Sequence, residues 1–262
     1  MPPSSSNSGA ARIRDRALPV GAGIALVAAL AWAYVFYMAW GMEHMDLAAD
    51  SFLMPRMADW NGRDLLLVFV MWSIMMAAMM LPAAAPLLLL LAKMNRTRSS
   101  GGRAALATAV AGLGYLSVWT GFSLLATLAQ WALLEAQLVS PMMESSSRWF
   151  SGALLITAGV YQFTPLKEAC LGHCRSPLGI LLTEWREGHM AAFRMGLRQG
   201  TYCTGCCWLL MALLFAFGVM NLLGIAALSV LVLLEKILPH PRLFARTTGA
   251  ILFLGGVLLA LS

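Results

Sequence analysis

Seven long apolar segments, separated by short polar connections, dominate the sequence. A helix needs about 20 predominantly apolar residues to cross the hydrocarbon core of a bilayer, so each segment is predicted to be one membrane span. Because the segments follow one another so closely, no room is left for a separate soluble domain. The predicted spans are 17–40, 64–92, 104–138, 149–165, 200–219, 221–238 and 247–262.

The composition supports this prediction of an all-α, polytopic membrane helix bundle. Of the 262 residues, 60% are hydrophobic and only 11% are charged, and a water-soluble domain of this size could not bury so much apolar surface. Residues 1–16 are rich in Ser and then basic, which predicts a disordered cytoplasmic tail. The apolar run that follows ends in WAYVFYMAW without a small-residue cleavage pattern, so we interpret it as a retained span. Residues 17–262 are predicted to form a single transmembrane domain.

The distribution of positive charge predicts the orientation in the membrane. With the N-terminus inside, 15 of the 18 Lys and Arg residues fall in cytoplasmic segments, and only Arg56, Arg63 and Arg148 fall outside. An excess of basic residues in cytoplasmic loops is the usual pattern. We therefore expect a multi-pass protein of a bacterial inner (cytoplasmic) membrane with its N-terminus in and its C-terminus out. Because the basic residues lie between apolar runs, nucleic acid is not an expected partner.

The segment 166–199 fits neither a span nor a simple loop. Its charged residues recur every few positions around a short apolar run, LGILL (178–182). Since that run is too short to cross the membrane, the segment is predicted to be an interfacial or partly re-entrant cytoplasmic element.

Three of the five cysteines open the fifth predicted span in the stretch TYCTGCCWLLM, 201–211. Cys203, Cys206 and Cys207 stand at i, i+3 and i+4 and so share one helix face, which Met211 continues. In the predicted orientation they lie on the reducing side of the membrane, where structural disulfides rarely form. Thiolates and a thioether are soft ligands that suit Cu(I), and the thiolates also suit zinc. The pattern therefore indicates a metal or redox site, with small-residue helix packing as the alternative.

A second group of candidate ligands lies in the cytoplasmic segment, in EACLGHCRSP. Cys170, His173 and Cys174 have the i+3 and i+4 spacings that can present ligands to one ion from a helical turn. The alternative is a solvated loop with incidental thiols. If the start of the fifth span lies beside this segment, up to six ligands converge, which is enough for two ions or a transfer relay.

The second predicted span carries a dense group of methionines in MWSIMMAAMMLP. Met71, Met75 and Met79 form an i, i+4, i+8 stripe, with Met76 and Met80 beside it. Core packing by an adaptable side chain is one explanation. The other is a metal path, because Leu would serve packing equally well and thioethers are soft Cu(I) ligands.

Glu235 stands near the inner end of the sixth predicted span, after an unbroken apolar run. Carboxylates inside a membrane are costly and are usually paired or functional. Lys236 follows directly, however, and both side chains could instead extend to the interface. The sequence leaves these two explanations open.

Several of these stretches resemble a bacterial family of integral membrane proteins of unknown function with predicted metal binding (domain of unknown function 2182). The resemblance rests on W-x2-M-x2-A-M-M-x-P (72–82), the CRSP turn, GxRxGxYCxGCCWxLM (196–211), GVMN (218–221) and the LLEK run. It covers the second to the sixth predicted spans. It implies that Cys203, Cys206 and Cys207 are metal ligands, and it does not specify a reaction.

Together these features predict a membrane protein that binds a soft metal, copper before zinc, in metal transport, delivery or cuproprotein maturation. The expected partners, besides the lipid bilayer, are a metallochaperone or other membrane subunits. One alternative is an integral subunit or assembly factor of a larger membrane complex, and another is a membrane thiol oxidoreductase that uses Cys203 and Cys206. The candidate metal ligands are Cys203, Cys206, Cys207, Met211, Cys170, His173, Cys174, Met75, Met79 and Met80.

Overall fold

A computed structural model of the chain describes residues 6–44, 60–98, 101–138, 140, 147–176, 179 and 188–261. These residues form helices joined by short turns, with no strand among them. The helices are α1 (Ser6–Glu43), α2 (Gly62–Arg98), α3 (Gly101–Glu135), α4 (Arg148–Tyr161), α5 (Pro165–Cys174), α6 (His189–Ala212), α7 (Leu214–Phe217), α8 (Leu222–Ile237) and α9 (Pro241–Leu261).

Five helical stretches are long and apolar enough to cross a membrane, which suggests a membrane protein. The helices α4 and α8 have 14 and 16 residues, so they are only about 21 and 24 Å long at 1.5 Å per residue. The predicted spans 149–165 and 221–238 are therefore not supported by the lengths of these two helices. The five qualifying stretches are Pro19–Met42, Gly62–Met94, Ala105–Glu135, His189–Phe217 and Pro241–Leu261.

The helix boundaries depart from the predicted segments in two places. Residues 6–16, predicted to be a disordered tail, continue α1 at its N-terminal end, since their Ala and Arg residues favour helix and lead directly into the apolar run. The fifth span was predicted from residue 200, but α6 begins at His189. Its first three turns are amphipathic: Ala192 and Met195 are buried, whereas Arg194 is exposed. The run 178–182, apart from residue 179, lies outside the described residues.

Glycines allow α3 and α6 to pack closely. A Cβ atom on Gly196 would overlap the carbonyl of Ala111, and a Cβ atom on Gly200 would lie 3.0 Å from the carbonyl oxygen of Tyr115. Small residues permit such backbone approach between membrane helices. Because the contacts advance along both helices in the same direction, α3 and α6 run parallel, and this packing places Tyr115 against α6.

The helices α4 and α9 form a second glycine-mediated pair. A Cβ atom on Gly152 would lie 3.0 Å from the carbonyl oxygen of Gly256, and one on Gly159 would lie 2.8 Å from that of Gly249. The contacts advance in opposite directions along the two helices, so α4 and α9 are antiparallel.

The methionine-rich part of α2 lies in the centre of the core. Trp72, Met75, Met76, Met79 and Met80 are all buried. The indole of Trp72 donates to the side-chain oxygen of Gln130 at 2.6 Å, and its ring lies 5.3 Å from that of Phe215. These contacts bind α2 to α3 and to the region where α6 passes into α7.

Candidate metal-binding site

Four thiols converge where α5 meets α6. Three of them lie on one buried face of α6, as their i, i+3, i+4 spacing predicts, and the fourth stands at the last residue of α5. The thiol of Cys174 contacts those of Cys203 and Cys206. The thiol cluster consists of Cys174, Cys203, Cys206 and Cys207, which are 6%, 0%, 1% and 0% exposed.

Cys203 is the centre of the hydrogen-bond network in the thiol cluster. The ammonium of Lys236 donates to its Sγ at 2.9 Å, and the hydroxyl oxygen of Tyr115 lies 3.0 Å from the same sulfur. The Tyr115 hydroxyl also donates to the carbonyl of Met80 at 3.0 Å. One sulfur of α6 is therefore connected to α2, α3 and α8.

The other two thiols of α6 are turned toward the backbone. Cys206 and Cys207 both donate to the carbonyl oxygen of Cys203, each at 3.0 Å. In the part of the chain that the structure describes, no three His, Cys, Asp or Glu side chains are already arranged around a common ion position. The thiol cluster is thus a set of soft donors held close together, and binding a metal requires Cys206 or Cys207 to rotate away from the Cys203 carbonyl.

The end of α8 carries a buried charge, Glu235, and a half-buried charge, Lys236, which point to different neighbours. The carboxylate of Glu235 accepts hydrogen bonds from Lys167 at 2.8 and 3.0 Å and from the amide of Gln162 at 3.0 Å. The guanidinium of Arg175 donates to the Glu235 carbonyl at 3.1 Å. Glu235 therefore does not extend to the interface, because its partner lies inside the protein. Lys236, the next residue, points instead to Cys203.

The structure separates the three candidate ligands of α5. Only Cys174 joins the thiol cluster. The Sγ of Cys170 packs on Gly205, where an added Cβ would lie 2.8 Å away, and its partial burial raises the pKa of this thiol. His173 stacks on Tyr202 with ring centroids 4.7 Å apart and lines a surface cavity of about 890 Å³.

The methionine candidates are buried in the same core as the thiol cluster. Met211 continues the cysteine face of α6 one turn beyond Cys207, and it is fully buried. Met80 and the adjacent Met79 lie at the level of the thiol cluster, because Tyr115 joins the Met80 carbonyl to Cys203. Met75 lies about one helical turn further along α2.

Three residues near the thiol cluster, Gln199, Tyr115 and Lys236, were not among the predicted site residues. The side-chain amide of Gln199 donates to the carbonyl of Cys174 at 3.2 Å, and its oxygen has no hydrogen-bond partner among the described residues. Gln199 could have been found as a polar residue four positions before Cys203, on the same helix face, whereas Tyr115 stands alone in an apolar run.

Three of the short motifs in the sequence meet at this site. The CRSP turn supplies Cys174 and Arg175, and the LLEK run supplies Glu235 and Lys236. The YCxGCCW stretch (202–208) supplies the three thiols of α6. The GVMN motif has a structural role at the other end of α8. Gly218 has a φ of 95°, and Asn221 caps α8 by accepting from the Gly224 amide at 2.9 Å.

The described residues define an apolar helical protein with four buried thiols close together, a set of soft donors that suits a soft metal ion. A model of the copper chaperone family PpoB2 matches residues 69–259. The chain therefore belongs to this family, and the matched region includes α5, α6, α8 and the whole thiol cluster. No curated protein and no solved structure matches the chain.

Proposed function

We propose that the chain is an integral protein of the bacterial inner membrane that binds copper as Cu(I) at the thiol cluster. It hands this cargo on in copper transport, delivery or cuproprotein maturation. The observation that carries the proposal is the convergence of four thiols from α5 and α6 in a member of a copper chaperone family. Soft thiolate and thioether donors favour Cu(I), with zinc as the second choice.

In this proposal the thiolates of α6 bind first. Cys203, Cys206 and Cys207 are the principal ligands, and Cys174 completes the set from α5. The thioethers of Met211, Met79 and Met80 are neutral donors on the bilayer side of these thiols, where weaker binding suits exchange of the ion. Since Cys206 and Cys207 must first leave the Cys203 carbonyl, loading is expected to rearrange side chains rather than helices.

The helix directions support a topology of seven spans, and the distribution of Lys and Arg supports an inside N-terminus. The antiparallel pairing of α4 with α9 and the parallel pairing of α3 with α6 are those that this topology requires. The two short helices, α4 and α8, then cross beside longer neighbours. The thiol cluster lies in the cytoplasmic half of the membrane, where a reducing compartment keeps its thiols available for metal.

A cytoplasmic metallochaperone is the proposed partner on the inner face. The cavity beside His173 adjoins α5 and α6, the two helices that carry the thiol cluster. An exchanging protein that docks there would come close to the site without entering the bilayer.

The copper content of purified protein tests the proposal. Replacing Cys203, Cys206 and Cys207 together by Ser should leave membrane insertion intact and abolish bound copper, measured by elemental analysis after anaerobic loading in detergent. Cys170→Ser is the matched control, because Cys170 packs on Gly205 outside the thiol cluster, and it should keep its copper. Wild-type copper content in the triple variant would rule out this site.

A further inference from the structure

Lys236 is the cationic side chain that the structure places in hydrogen-bond contact with the thiol cluster. Its ammonium lies 2.9 Å from the sulfur of Cys203. Within the described residues, the nearest carboxylate in sequence, that of Glu235, already has its own cation in Lys167 and a further donor in Gln162. Because Lys167 balances the charge of Glu235, the charge of Lys236 remains to act on the thiols.

The position of Lys236 is fixed by the contacts of the residue before it. The Glu235 carboxylate is joined to α5 through Lys167, and the Glu235 carbonyl is joined to the end of α5 through Arg175. These contacts attach the last turn of α8 to the same helix that supplies Cys174. They therefore fix the backbone position from which the Lys236 side chain reaches Cys203.

A fixed positive charge changes which ion suits a buried thiolate site. A fixed ammonium repels every bound cation, and at the same distance it repels a divalent ion about twice as strongly as a monovalent ion. The same ammonium stabilises the thiolate form of the ligands, which binding of either ion requires. Lys236 therefore shifts the relative affinity of the site toward the monovalent ion, whatever the number of thiolates.

We propose that Lys236 determines the charge specificity of the site by favouring a monovalent soft cation, Cu(I), over a divalent ion such as Zn²⁺. This inference rests on the proposed copper function, and it adds a residue that selects the ion without ligating it. Met211 is consistent with selection of a monovalent ion, because its neutral thioether adds a donor without adding the negative charge that would favour a divalent ion.

The test compares Cu(I) and Zn²⁺ affinities of the full-length protein in detergent, each measured anaerobically by competition with a chromophoric chelator. In Lys236→Leu, which removes the charge without adding a sulfur donor, Cu(I) affinity should fall about 10- to 100-fold, as is typical when a residue outside the ligand set is changed, while Zn²⁺ affinity is maintained or rises. Lys236→Arg keeps the charge and should stay close to wild type in its ratio of Cu(I) to Zn²⁺ affinity. Lys93→Leu is the matched control, since Lys93 is an exposed lysine near the end of α2.

Two results would overturn the inference. One is an unchanged Cu(I) affinity in Lys236→Leu, and the other is an equal loss of both metals, which would mean that Lys236 only supports the packing. Lys236→Gln provides a second neutral variant if Lys236→Leu does not yield folded protein. If wild type binds Cu(I) and the triple Ser variant does not, either of these two results rejects only the role of Lys236 and retains the copper proposal. A wild-type protein without Cu(I) affinity would reject both.

Discussion

The buried ion pair between Lys167 and Glu235 provides a stability prediction that the structure defines closely. Both side chains are only 1% exposed, and their closest atoms are 2.8 Å apart. Lys167→Met would leave the Glu235 carboxylate in the core with one remaining side-chain donor, Gln162. Loss of one partner of a buried pair costs about 3–5 kcal/mol, because the other charge stays buried without compensation. For a chain of this length, that corresponds to a decrease in Tm of roughly 6–20 °C.

Thermal unfolding in detergent, followed by circular dichroism, measures this decrease. The double variant Lys167→Met, Glu235→Met removes both charges, and we expect it to recover most of the stability, because no unpaired charge remains. Glu168→Gln is the matched control. It breaks the ion pair between Arg242 and Glu168, whose side chains are 73% and 41% exposed. Such surface pairs contribute only about 0–1 kcal/mol. If Lys167→Met and Glu168→Gln melted at the same temperature, the reasoning about burial would be refuted.

Three further variants or measurements test the packing around the thiol cluster. Gly196→Ala should destabilise the protein by about 1–3 kcal/mol, because its Cβ meets a backbone carbonyl of α3 that cannot move aside. Gly121→Ala is the control: Gly121 faces open space on α3, so this variant should be neutral or slightly stabilising. Equal Tm values for the two variants would contradict this packing. Tyr115→Phe removes the hydroxyl between Met80 and Cys203, so we expect a loss of about 1 kcal/mol in urea unfolding of the detergent-solubilised protein, and an unchanged midpoint would argue against the bridge. Burial raises the pKa of the Cys170 thiol, so its thiolate forms at higher pH than that of a free thiol. The rate at which maleimide labels Cys170 should therefore keep rising with pH beyond the point at which a free thiol levels off. A pH curve that matches a free thiol would show that α6 does not shield Cys170.

The sequence predicts the cysteine face of α6 well, because that face depends only on local helical spacing. Cys203, Cys206 and Cys207 share a buried stripe with Met211, as the i, i+3, i+4 pattern requires. The helical class of the protein follows equally directly from the long apolar runs. Both predictions need no knowledge of how one helix crosses another.

The partners of that face could not be predicted, since they depend on helix crossings between distant segments. Cys170 and Cys174 are one turn apart on α5, yet one packs on Gly205 and the other joins the thiol cluster. The crossing of α5 over α6 determines this difference, and local spacing carries no information about it. Glu235 is a similar case: interfacial and buried placements were equally compatible with its neighbours in sequence, and its partner, Lys167, lies 68 positions away along the chain.

X-ray absorption at the copper edge of the Cu(I)-loaded, full-length protein tests the central claim most directly. The thiol cluster predicts a first shell made of sulfur, which disappears when Cys203, Cys206 and Cys207 are all replaced by Ser. A first shell of nitrogen or oxygen, or a sulfur shell that survives in the triple variant, would contradict copper binding at this site.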